Sequence, residues 1–226
     1  MIELAGLFTH CLVANQVLEE LPKSYRNYFS KPENIDDYYF GSIAPDIRYT
    51  DLSLKRNVTH EPFGVNSGFE AFKASSAFVA GYECHLKTDD AWDGEGGIAE
   101  FFSIDVNKIE QKLALYYFVD AYFKEKNSWF LPMMFSGNIL RANDFYFLEK
   151  LGFRKEQINS YKSAALIYLN APSTRTLLEL ITQLKIPVNE KQVMAVIDSL
   201  TPVDEKLHGF LEDAAGTSPE AILKHL

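Results

Sequence analysis

An all-α fold is the prediction for this chain, and three observations make it. Apolar residues recur at three- and four-residue intervals along most of its length, the pattern of helices with one buried face. No Val/Ile-rich run alternates convincingly with period two, as a half-buried strand would. Several periodic stretches are preceded by helix-starting residues: Ser173 after Pro172, Asn189 before Glu190, and Thr201-Pro202 with Asp204 and Glu205 behind them.

The elements follow in order. Over residues 6–21, Leu7, Cys11, Ala14, Leu18 and Leu21 share a face, and Pro22 ends that helix because it lacks an N–H and clashes with the preceding turn. A short helix is expected over 34–44, ended by Pro45. Residues 47–66 read as irregular, with Pro62 and Gly64 close behind His60. Residues 67–90 give the clearest helix, from Phe69, Phe72, Ala77, Phe78 and Tyr82, and Trp92-Asp-Gly-Glu-Gly-Gly97 breaks it. A second helical region begins with 104–125, carrying Ile109, Leu113, Tyr116, Tyr117 and Phe123. Helices are expected further on over 141–150, 154–170, 173–184, 189–199 and 203–214. A length of 226 residues suits one all-helical domain, with a soft division near 94–102 into a 1–95 half and a 100–226 half.

Composition narrows the function. Hydrophobic residues make up 47%, enough for a substantial core, while a formal net charge of -9 opposes general binding to nucleic acid or anionic membranes. The two cysteines, Cys11 and Cys84, cannot make a disulfide framework and read as small buried packing residues. The opening Met-Ile-Glu-Leu-Ala-Gly-Leu-Phe-Thr-His has no basic start and no long apolar run before a cleavage site, and no stretch reaches the roughly 20 apolar residues of a membrane span. A cytoplasmic protein is expected.

Three of the five histidines fall in the first ninety residues, each in company that suits a metal ligand. His85 and Asp89, four apart on a helix, lie on one face one turn apart, where a single ion can touch both. A carboxylate on a largely apolar face must be paired or metal-bound. Asp46 follows Pro45 at a helix end, His60 stands in a polar loop, and His10 sits within the first helix. Each has a commonplace explanation alone: a turn aspartate, an exposed loop histidine, a half-buried histidine satisfied by a carbonyl. Together the ordered series His10, Asp46, His60, His85, Asp89 points to one site, and imidazole with carboxylate suits zinc, iron or manganese.

The elements Thr9-His10, Gly41-Ser-Ile-Ala-Pro-Asp46, Thr59-His60 and Gly81-Tyr82 followed by His85-x-x-x-Asp89 resemble the zinc-dependent phospholipase C family over roughly residues 1–93, and more distantly the zinc-dependent single-strand nucleases. The resemblance implies a multi-helix phospholipase C/nuclease-like bundle, here with additional C-terminal helices. It implies that Asp46, His60, His85 and Asp89 hold one zinc ion and that Asp89 bridges to a second, which His10 also binds. The family's third ion needs more histidines soon after the bridging aspartate. This chain has none between residues 86 and 207, and His208-x-x-x-Glu212 stands far downstream, so one or two ions are expected.

The reaction implied is hydrolysis of a phosphoester, in a small molecule or a lipid, by metal-activated water, as in a phosphodiesterase. Asp46 would be both ligand and proton acceptor, with Glu61, next to His60, as an alternative base. Arg48, Lys55 and Arg56, between Asp46 and His60, would meet the phosphate. Tyr38, Tyr39, Phe40 and Trp92 would either fill the core or line a pocket. Other chemistries lack their residues. Gly94-x-Gly96-Gly97 has neither the lysine nor the context of a phosphate loop. No Gly-x-Ser-x-Gly or Cys-x-x-Cys occurs, and His60 is followed by Glu61 where helical His-Asp phosphohydrolases need an aspartate. The competing expectation is a non-catalytic helical binding or regulatory protein that keeps the metal site for structure; a closed ligand shell would favour it, an open one catalysis.

Overall fold

The computed structural model describes residues 6–51, 53–61, 74–92, 103–105, 107–130 and 140–200, with only the backbone described at 91 and 92. Every regular element among these residues is helical. In chain order they are α1 (Leu7–Glu20), α2 (Lys23–Phe29), α3 (Pro32–Ile43), a 3-10 segment (Ala44–Thr50), α4 (Asn57–His60) and α5 (Ser76–Trp92). There follow α6 (Ile109–Lys126), α7 (Ala142–Lys150), α8 (Lys155–Asn170), α9 (Thr174–Leu184) and α10 (Glu190–Ser199).

Local chemistry sets several boundaries. The Ser173 hydroxyl accepts from the Thr176 N–H at the start of α9, and the Asn189 side chain accepts from Lys191 and Gln192 at the start of α10. Lys185 takes the left-handed conformation that closes α9. Pro32 stands in the first turn of α3, where its missing N–H costs nothing, so the helix starts before residue 34.

Pro45 does not stop the helical path. The Ala44 N–H bonds to the Gly41 carbonyl and the chain tightens into the 3-10 segment, which carries Asp46 on its first turn. Helix α2 was not expected; only Phe29 of its seven residues is buried. The stretch expected to be irregular contains the single turn α4. The helix expected from 104 begins at Ile109, because the Asp105 side chain accepts from the Asn107 N–H and holds a turn there. Residues 67–73 and 93–97 and the helix expected over 203–214, with His208 and Glu212, lie outside the described residues.

Packing places the site. Helix α5 lies along α3, and α1 contacts both. Two glycines permit the α3–α5 approach: a Cβ at Gly81 would collide with the Tyr38 carbonyl, and one at Gly41 with the Phe78 carbonyl. Backbone meets backbone there, as only glycine allows. Buried aromatics fill the core around this crossing, with Phe78 and Tyr82 of α5 against Phe147 of α7, and Phe40 of α3 beside Tyr161 of α8. Downstream, α6 pairs with α10, and α8 with α9. Among the described residues, no helix is long and apolar enough to cross a membrane.

Candidate metal centre

Four elements deliver five side chains to one place. Helix α1 brings His10, the 3-10 segment Asp46, the end of α4 His60, and α5 both His85 and Asp89. None is more than 6% exposed. His10, His60 and His85 approach Asp89 with their Nε2 atoms, at 3.3, 3.1 and 3.5 Å from its carboxylate oxygens. The His10 and His85 rings stack with centroids 3.7 Å apart and planes 16° off parallel.

Neighbouring groups orient these side chains. Nδ1 of His85 lies 2.8 Å from the Ser42 carbonyl oxygen. A carbonyl only accepts, so Nδ1 carries the proton and Nε2 offers its lone pair to the cluster. The Thr59 hydroxyl sits 2.9 Å from Nδ1 of His60, and the Tyr82 hydroxyl in turn donates to the Thr59 carbonyl. The Tyr161 hydroxyl donates to the Ile43 carbonyl at 2.6 Å, where α3 passes into the segment bearing Asp46.

The cluster fits a cation. Burial alone pushes the Asp89 carboxyl up, but the imidazoles of His85, His10 and His60 around it outweigh burial and hold the group well below the usual carboxylate range. Nδ1 and Nε2 of His10, Nε2 of His85 and Oδ1 of Asp89 are buried with no hydrogen-bond partner. An unsatisfied buried polar atom costs about 1–3 kcal/mol, so Nε2 of His10, Nε2 of His85 and Oδ1 of Asp89, which meet at one point, need an explanation, and an ion supplies one. Two overlapping triads, His10–His85–Asp89 and Asp46–His60–His85, each bring three donor atoms within 4.8 Å of one another. A ligand shell of that kind suits zinc, with iron or manganese as alternatives.

The cations expected to meet a phosphate are placed differently from one another. Nη2 of Arg56 lies 3.2 Å from Oδ2 of Asp89, with the side chain 27% exposed. Sequence alone did not reveal that pair, whose members stand 33 positions apart. The Arg48 guanidinium stacks 4.4 Å above the Tyr49 ring and donates to its hydroxyl. Lys55 and Glu61 are exposed on either side of α4.

Tyr38, Tyr39 and Phe40 are core residues, and the Tyr38 hydroxyl donates to the Ala14 carbonyl. A cavity of about 40 Å³ beside Asp46, walled by Tyr49, Tyr116, Tyr161, Tyr168 and Asp120, is far below the usual size of a ligand pocket. Cys11 and Cys84 are buried free thiols, as their packing role requires.

Residues 9–92 match the family model described as zinc dependent phospholipase C. All five clustered side chains lie inside that segment. No curated protein and no solved structure matches the chain.

Proposed function

We propose that this chain is a metal-dependent phosphoesterase, a phospholipase C-like phosphodiesterase acting on a small-molecule or lipid phosphoester. One observation carries the reading: His10, Asp46, His60, His85 and Asp89 converge, buried, with orphaned nitrogen and oxygen atoms at the point of convergence. The family resemblance would have Asp46, His60, His85 and Asp89 hold one ion and His10 with Asp89 a second, and the two donor triads, Asp46–His60–His85 and His10–His85–Asp89, support two adjoining positions that share His85. Zinc, or iron or manganese in its place, would acidify water and polarise a phosphoryl oxygen.

The chain's own groups divide the remaining work. The Asp46 carboxylate accepts a proton from the attacking water, and Glu61, exposed beside His60, is the second candidate base. Arg56, the partly exposed cation against Asp89, receives the phosphate, with Lys55 and Arg48 on the same stretch as further cationic contacts. Ser42 and Thr59 hold the imidazoles of His85 and His60 in register.

The burial of all five side chains favours a second reading, in which a closed shell is structural and the protein a helical binding or regulatory module. Assays of His85→Ala and Asp46→Asn separate the two. Hydrolysis of a chromogenic phosphodiester by the parent protein, abolished in both variants with helicity retained, supports catalysis. An inactive parent, with both variants failing to fold, supports the structural role.

A further inference from the structure

Asp120, on α6, lies outside the segment that matches the family model, yet it reaches the helix that carries His10. It is fully buried. One carboxylate oxygen accepts the Phe8 N–H at 3.1 Å, and the other accepts the Thr9 N–H at 2.9 Å and the Thr9 hydroxyl at 2.7 Å. A fourth hydrogen bond joins it to Tyr168 of α8.

These donors belong to the first turn of α1, which has no helical partners for its N–H groups. The N-cap residue, Gly6, offers no side chain to satisfy them. It also leaves the space the carboxylate needs, since a Cβ there would collide with Asp120. A side chain 112 positions downstream therefore caps α1. The residue after Thr9 is His10, stacked on His85. With the Thr9 N–H and hydroxyl both held, α1 can neither turn about its axis nor slide without breaking bonds to Asp120.

We infer that Asp120 is a positioning residue for the metal centre, fixing His10 against His85 by capping α1 from the downstream half of the chain. The inference rests on the reading of the five-residue cluster as a metal centre. A second buried aspartate provides the contrast. Asp144 on α7 accepts the Ser75 N–H at 2.5 Å and the Ser75 hydroxyl at 2.7 Å, and Ser75 accepts from the Phe78 N–H at the start of α5. That clamp is alike in chemistry but lies about 15 Å along the helix axis from His85.

The test compares Asp120→Asn with Asp144→Asn in the full chain. Zinc affinity is read by competition with a chromophoric chelator, and ligand geometry by the visible d–d spectrum of the cobalt(II) form. Asp120→Asn should bind zinc about 10- to 100-fold more weakly, as loss of a supporting group does, and should shift the cobalt spectrum. Asp144→Asn should keep the parent's affinity and spectrum. Parental affinity and spectrum in Asp120→Asn would overturn the inference while leaving the metal centre standing. Failure of the parent to take up either metal would remove the metal centre and the inference with it. If Asp120→Asn does not fold, Thr9→Val beside Thr9→Ser decides: weaker binding in the valine variant, restored in the serine variant, supports the role, and equal binding in the two overturns it.

Discussion

The Ser42 carbonyl oxygen stands 2.8 Å from Nδ1 of His85, so the backbone of α3 decides which imidazole nitrogen of α5 faces Asp89. That single contact fixes both the tautomer and the ring orientation of a residue common to both donor triads.

Metal content is the most direct consequence. Protein purified without a histidine tag is expected to carry about one or two equivalents of zinc, iron or manganese. His85→Ala should lose it, because His85 contributes to both triads. Elemental analysis by plasma mass spectrometry decides, and a metal-free parent that takes up none on titration sinks the reading.

Arg56 should act on substrate more than on metal. Removing a charge-assisted contact costs about 1.5–3 kcal/mol, so Arg56→Gln is expected to lower kcat/KM at least about tenfold, chiefly through KM. Elemental analysis of the same preparation should show the parental metal content. Loss of metal with unchanged KM would instead make Arg56 a support for Asp89.

Gly81→Ala tests the α3–α5 crossing. The added methyl meets the Tyr38 carbonyl, which is main chain and cannot swing aside. Overpacking of this kind costs about 1–3 kcal/mol, a fall of several degrees in Tm for a chain of this size. An unchanged Tm by calorimetry would contradict the packing described.

A pH dependence follows from Asp120. Burial pushes its carboxyl from the ordinary 3.8 up to about 6, against the pull of the Thr9 and Phe8 hydrogen bonds. The folded chain therefore takes up a proton near pH 6 that the unfolded chain takes up only near 4. The stability this contributes is fully present below the unfolded value and is lost as pH rises through the folded one. Between pH 7 and 4.5 the parent should gain about 2 kcal/mol over Asp120→Asn. Urea unfolding of both in chelator checks this, and parallel pH profiles would exclude it.

What the sequence made legible was local. Ser173 and Asn189 start the helices they were expected to start, and His85 with Asp89 share a face because four residues make one turn. Helix α2 escaped notice because seven residues with one buried side chain carry no period. Pro45 reads as a stop in the sequence, yet a missing N–H is equally compatible with a tighter helix, and that tightening presents Asp46. The three inward-facing histidines and two aspartates were recognisable from their motifs. Asp120, Asp144 and the Arg56–Asp89 pair were not, because the partners that explain their burial or placement stand 112, 69 and 33 positions away.

The crossing at Gly41 and Gly81 gives the centre a main-chain datum. Ser42, next along α3, sets His85 through its carbonyl, and the 3-10 turn that presents Asp46 continues the same stretch of backbone. Side chains hop between rotamers and surface loops drift, but two peptide backbones in contact have nowhere to go. The spacing between these donors is thereby insulated from thermal rearrangement of exposed neighbours such as Lys55 and Glu61.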